Sequence, residues 1–186
     1  HGVAPGAGDV LVTGATGGVG MLAISILDRA GFDAHAITGK ADQFDFLIEL
    51  GAKKCIARKD LYWGQRPLES AHWAGAIDNV GGDMLDGLTR VVHPYGNIAI
   101  CGNAGGIELA TTVMPFIIRG VSLLGIASAG TAREQRDAIW CNLADKWKPQ
   151  NLDKIATKEV VFDELSSIFD QMLAGASFGR SLLRIG

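Results

Sequence analysis

The residues of this sequence that could do chemistry begin at a glycine-rich turn, Thr13-Gly14-Ala15-Thr16-Gly17-Gly18-Val19-Gly20. Val10-Leu11-Val12, a short apolar run of strand type, leads into it, and Met21 to Leu27 follows with helical spacing. A turn in that position aims unpaired backbone N–H groups and the positive end of a helix dipole at one point, which suits a pyrophosphate. Gly17 has no Cβ, so backbone can approach a bulky phosphate, and Gly20 lets the helix lie close to the strand. Ala15 replaces the first glycine of the usual G-x-G-x-x-G spacing, and Gly14 is expected to supply the turn's freedom. The alternative is an ordinary glycine turn in an α/β protein.

A second set lies about twenty residues on. There an acidic residue would bind a ribose 2′-hydroxyl. This chain has Thr38-Gly39-Lys40 instead, with no Asp or Glu. A hydroxyl and a cation suit a 2′-phosphate, and Arg58, after the third expected strand, is placed to close over the same phosphate or the adenine. Two hydrogen bonds to a charged group, at roughly 1.5–3 kcal/mol each, would favour NADPH over NADH by on the order of a hundredfold or more. The alternative is that Lys40 and Arg58 are solvated surface charges. Asn79-Val80 and the glycine-rich Cys101 to Gly106 fall at expected carboxyl ends of strands, where open α/β sheets bind ligands. Asp78 would touch a ribose or cap the following turn. Ser128 is a weaker candidate.

No Ser-His-Asp, Cys-His or paired-carboxylate arrangement is recognisable, and His35, His72 and His93 have no metal-like spacing, so no metal site is expected. Cys55, Cys101 and Cys141 are scattered singly, as suits a reducing cytoplasm. The 186 residues carry a net charge of −3 and no basic tract, which argues against nucleic acid or an anionic membrane as partner. No apolar run is long enough for a membrane span. The start, His1-Gly2-Val3-Ala4-Pro5, reads as the middle of a longer protein.

The elements that must position these residues alternate. Strands are expected at Val10–Val12, Ala34–Thr38, Lys54–Ala57, Trp73–Asp78, Gly96–Cys101 and Val121–Ile126. Helices are expected from Met21, through Phe46, Leu47 and Leu50, over Met84–Val92 and Met114–Ile118, and over Ala132–Trp147. Such alternation predicts a Rossmann-type α/β fold, a doubly wound parallel sheet of six strands, over residues 1–150. Residues 151–186 predict a tail with a strand at Lys158–Phe162, a helix at Glu164–Leu173 and a strand at Gly179–Ile185. Those two strands are expected at the sheet margin or packed on something outside the chain.

Several stretches together resemble the medium-chain dehydrogenase/reductase superfamily. They are Val12 to Gly20, Thr38-Gly39-Lys40, Arg66-Pro67-Leu68, Trp73 to Asp78 and Thr111 to Arg119. The branch they resemble is the zinc-free quinone oxidoreductase-like group that includes acrylyl-CoA reductases. The resemblance implies hydride transfer from NADPH to the C=C bond of an enone or an acrylyl-CoA-like thioester, so the expected partner is a small molecule, in this case a CoA thioester. Quinone reduction and a non-catalytic NADPH-binding or redox-sensing module are the alternatives. By the same resemblance Thr16, Gly17, Gly18 and Val19 bind the pyrophosphate. Thr38, Gly39, Lys40 and Arg58 hold the 2′-phosphate end, and Asn103, Ile117 and Ser128 line the nicotinamide half. Lys40 stands where close relatives are expected to have arginine, keeping the charge and losing the bidentate fork. The family also has an N-terminal GroES-like catalytic domain. This chain is therefore expected to be an inactive part, with catalytic residues outside it and with Glu164 to Ile185 loosely anchored. A homodimer is implied through the strand Val121–Ile126, an apolar edge that needs pairing or protection.

Overall fold

The computed structural model describes residues 2–185. In chain order the elements are β1 (Val10–Val12), α1 (Gly18–Arg29), β2 (Ala34–Thr38), α2 (Phe44–Glu49), β3 (Ala52–Ala57), β4 (Trp73–Asp78), α3 (Gly82–Val91), β5 (Val92–Ile100), α4 (Met114–Arg119), β6 (Ser122–Gly125), α5 (Arg133–Ala144), α6 (Leu152–Ile155), β7 (Ala156–Val160), α7 (Leu165–Leu173) and β8 (Arg180–Leu183). The first six strands form one parallel sheet in the order β3-β2-β1-β4-β5-β6. This is the predicted doubly wound architecture.

The alternation of side chains along a strand explains its two layers. Leu11, Ile37, Ala76 and Ile98 face a core closed by Met84, Leu85, Leu88 and Val91 of α3. Their neighbours Val12 and Ala36 face the opposite core with Met21, Ala23 and Ile24 of α1 and Leu47 of α2. Both sheet faces are covered, so the central strands read as continuous apolar runs.

The tail departs from expectation. β7 and β8 join neither margin of the main sheet but pair with each other, parallel, with Glu159 opposite Leu182 and Val160 opposite Leu183. The tail is also tied down. Ile155 is buried in the core beside α1 and α2. Phe178 meets Phe46 edge to face with ring centroids 5.2 Å apart. Lys154 pairs with Glu49, and the Gly179 N–H donates to the Thr16 carbonyl at 3.0 Å. Within Glu164–Ile185, the segment expected to be loose, the Phe178 ring contact and the Gly179 backbone bridge tie the chain to α2 and the glycine turn, while Leu173 and Ile185 stay 88% and 78% exposed.

At the amino ends of the strands, Trp73 Nε1–H donates to His35 Nδ1 at 3.4 Å, and His35 Nε2 lies 3.2 Å from Asp9 Oδ2. Accepting at Nδ1 requires a neutral ring. Burial pushes the His35 pKa below its usual value, against the pull of Asp9; Lys54 adds to the lowering and Asp33 opposes it. A lowered folded pKa makes the unfolded chain the better proton acceptor. The stability held by neutral His35 is therefore present above about pH 6.5 and is lost as pH falls from there toward the lowered folded value. Urea unfolding across this window should show the loss in the native protein and a flatter profile in His35→Gln. Identical profiles would contradict the assignment.

Candidate functional site

The site is built from the carboxyl ends of β1, β2, β4 and β5. The strand order reverses between β1 and β4, and at such a switch point the loops part and leave a crevice. A cleft of about 510 Å³ lies there. Its walls are the glycine turn from Gly14 to Gly20, the Ile37–Lys40 stretch, Arg58, Asn79-Val80, Met84, the Cys101–Gly105 loop, and Gly175 and Ser177 from the tail.

The turn is held in place by its own backbone. Thr13 N–H donates to the Ile77 carbonyl and Ala15 N–H to that of Ile37, each at 3.0 Å, stitching it to β4 and β2. Gly17 N–H bonds the Gly14 carbonyl at 2.9 Å. Helix α1 starts at Gly18, earlier than its apolar periodicity indicates, and Gly17 caps it without a side-chain bond. The first-turn N–H groups of a twelve-residue helix therefore open toward the cleft.

The two threonines tie the glycine turn to the end of β2. Thr16 and Thr38 are buried, and their hydroxyls bond each other at 2.9 Å. Thr38 Oγ1 also accepts the Lys40 N–H at 3.0 Å. These side chains lock the glycine turn to the end of β2, and the bond between them uses one of their two hydroxyl protons. Among the described residues, Lys40 and Arg58 are the two cations of the cleft wall, the Arg58 guanidinium lies against Gly39, and no carboxylate lines it. Lys40 Nζ donates to the Gly175 carbonyl at 3.0 Å.

Asp78 is fully buried. Its Oδ1 accepts from Thr13 Oγ1 at 2.6 Å and its Oδ2 from Gly81 N–H at 2.8 Å. Of the two readings open in the sequence, capping the turn is the one seen. Asn79 is a brace as well as a wall: Nδ2 donates to the Thr13 carbonyl at 2.8 Å, and Oδ1 accepts from Cys101 Sγ at 3.2 Å. Burial raises the Cys101 pKa, with Asp78 adding to it, so that thiol stays protonated. Asp78→Ala would orphan the Thr13 hydroxyl and the Gly81 N–H. It should cost about 2–4 kcal/mol in denaturant unfolding. An unchanged midpoint would contradict the bracing role.

The structure brings together Thr16, Gly17, Gly18, Val19, Thr38, Gly39, Lys40, Arg58 and Asn79. It does not bring Asn103, Ile117 or Ser128 into this cleft. Asn103 is exposed in the loop after β5, Ile117 is 71% exposed on α4, and Ser128 is exposed in a 3₁₀ turn after β6. Sequence reasoning missed Gly175 and Ser177. Gly175 signals a helix end, but nothing local shows that this end returns to a cleft whose other walls end at Gly105.

Residues 18–142 match the family model described as zinc-binding dehydrogenase. The Bacillus subtilis protein YhfP, named as a quinone oxidoreductase, is 40% identical over all 186 residues, which cover 56% of its length. Its crystal structure with NAD bound superposes with a TM-score of 0.92 over 99% of this chain. Acrylyl-CoA reductase AcuI of Ruegeria pomeroyi is 38% identical over 186 residues, again 56% of its length. Escherichia coli YhdH with bound NADPH gives a TM-score of 0.92 at 36% identity, covering 99% of this chain and 56% of that one. The chain thus spans little more than half the length of these relatives. Although the family's description names zinc, no three His, Cys, Asp or Glu side chains among the described residues gather into a metal-holding group, so this segment's residues do not fit one. On the match over residues 18–142 and the likeness along its whole length, the chain belongs to the zinc-binding dehydrogenase family, within the medium-chain dehydrogenase/reductase superfamily.

Proposed function

We propose that this chain is the cofactor-binding part of an oxidoreductase that uses NADPH to reduce the C=C bond of an enone or enoyl thioester, acrylyl-CoA being the model substrate. One observation carries the cofactor assignment: the cleft wall beyond β2 holds Lys40 and Arg58 and no carboxylate. A 2′-phosphate is attracted there, and the acid that would favour a free ribose hydroxyl is missing. The structure of YhdH with NADPH supports this choice, whereas that of YhfP with NAD makes it worth testing.

The residues fit the group. A Cβ on Gly17 would stand 3.2 Å from the Gly14 carbonyl oxygen, so the turn keeps a bare backbone where a pyrophosphate would rest on the α1 terminus. Lys40 and Arg58 would hold the 2′-phosphate, and the Thr16–Thr38 pair keeps the two loops in register. The Cys101–Gly105 loop, with Asn79, would take the nicotinamide half. Asn103, Ile117 and Ser128 are assigned to that half from the family resemblance. When bound, NADPH supplies the hydride for the β-carbon of the activated double bond. This chain's task is to hold the cofactor and keep it oriented. The name of YhfP favours a quinone as the second substrate class.

An assay of the natural full-length gene product with NADPH, following its oxidation in the presence of acrylyl-CoA or a quinone, tests this reading. Turnover of the thioester supports it, and turnover of quinone alone favours the second class. Tight NADPH binding with neither turnover would point to a non-catalytic module. We also propose a homodimer through the β6 edge. That strand pairs only with β5, and Leu124 and Ile126 are 44% and 50% exposed. Sedimentation of the protein should give twice the monomer mass.

A further inference from the structure

We infer that the end of α7 is a positioning element for Lys40, so that the tail strap, residues 174–180, sets the preference for a 2′-phosphorylated cofactor. This rests on the NADPH reading above.

The inference starts from how α7 stops. Gly175 has φ +67°, and its N–H donates to the Met172 carbonyl at 3.0 Å. The Ala176 N–H donates to the Gln171 carbonyl at 2.9 Å. These two bonds together are a Schellman motif, which fixes the backbone around a left-handed glycine. The carbonyl so fixed, that of Gly175, accepts the Lys40 ammonium. The helix end also carries partial negative charge, which attracts a cation independently of that bond.

Lys40 is thereby clamped twice: its backbone N–H by Thr38 Oγ1, its ammonium by Gly175. An ammonium has three donors, so two remain for a phosphate. A lysine chain is flexible and costs entropy to order. Ordering by the strap means that the cofactor need not bear that cost. The strap in turn hangs on the glycine turn through Gly179 N–H and the Thr16 carbonyl, and on α2 through Phe178 and Phe46. Two walls of the cleft are thus joined by the residue that meets the 2′-phosphate. Coupling of this kind is reciprocal, so a ligand that engages Lys40 must also steady the strap.

Gly175 permits a clean test. A Cβ there would meet nothing within 4 Å, so a substitution acts through backbone conformation and not through a clash. Asparagine tolerates left-handed backbone, whereas valine does not. Calorimetric titration should find that Gly175→Val weakens NADPH binding about tenfold, leaves NADH within about twofold, and is rescued by Gly175→Asn. In a Lys40→Met background, Gly175→Val should have no further effect on the NADPH/NADH ratio. In the unsubstituted protein, amide exchange at Gly175 and Ala176 should slow with saturating NADPH and not with saturating NADH, a readout that holds even if the valine variant fails to fold. Equal losses for valine and asparagine, or equal protection by the two cofactors, would overturn the strap's role. If Lys40→Met removes the preference and Gly175→Val does not, the strap fails and the 2′-phosphate reading stands. If Lys40→Met leaves the preference intact, both fail.

Discussion

Lys40→Glu should raise the NADPH dissociation constant by about a hundredfold or more, since a charged hydrogen bond worth roughly 1.5–3 kcal/mol is lost. A repulsion is added. Two like charges about 4 Å apart near a protein surface interact by roughly 4 kcal/mol before salt screening. NADH has no 2′-phosphate and meets neither penalty. The new carboxylate stands where an acidic residue would accept the ribose hydroxyl, so NADH affinity should hold or improve. Arg58 remains in the cleft wall beside Gly39, so some phosphate affinity should persist, and Lys40→Glu combined with Arg58→Ala should remove it. Competitive titration of the two cofactors against each variant measures this directly. A proportionate loss for both would mean that Lys40 holds the loop and not the phosphate.

Gly20→Ala should be severely damaging. Its Cβ would lie 2.7 Å from Ala15 Cα and 3.0 Å from the Ala15 carbonyl carbon, and closer still to the Gly14 carbonyl oxygen. All three are backbone atoms of a turn stitched to β2 and β4, so none can swing aside as a side-chain tip would. Helix α1 would have to lift from the sheet, disturbing Met21 and Ile24, both with no exposed surface. We expect a loss of about 3 kcal/mol or more, at the upper end of overpacking costs, and loss of cofactor binding with it. Gly130→Ala is the control. A Cβ there meets nothing within 4 Å, and the change should stay within about 0.5 kcal/mol. If Gly20→Ala unfolds at the same denaturant concentration as the native protein, the close approach of helix and turn is not what this glycine is for.

The parallel sheet was legible because buried strands announce themselves as short apolar runs between turn residues: Val10–Val12, Ala34–Thr38 and Trp73–Asp78 stand as read. Boundaries slipped where glycine or proline masks the pattern. Helix α1 begins among glycines at Gly18, not at Met21. Strand β5 begins at Val92, four residues before Gly96, because a register irregularity lets Pro94 and a positive-φ Tyr95 sit inside it. The glycine-turn half of the candidate site was legible for a related reason. The glycine turn and Lys40 each lie beside the strand that positions them. The tail was not. The β7–β8 pairing, the Ile155 contact with α1 and the return of Gly175 to Lys40 join residues far apart in sequence, and no local pattern encodes such closure. The bond between the Thr16 and Thr38 hydroxyls shows a related limit: residue type marks both as polar wall residues, and only the fold shows that they also link the glycine turn to the end of β2.

The central claim is that the cleft at the β1/β4 switch point is built for a 2′-phosphorylated dinucleotide. Calorimetric titration of the protein with NADPH and, separately, NADH tests it most directly. The account predicts tight NADPH binding with a preference of about a hundredfold or more, fading at high salt as the Lys40 and Arg58 charges are screened. Equal affinities, or a preference for NADH, would contradict it.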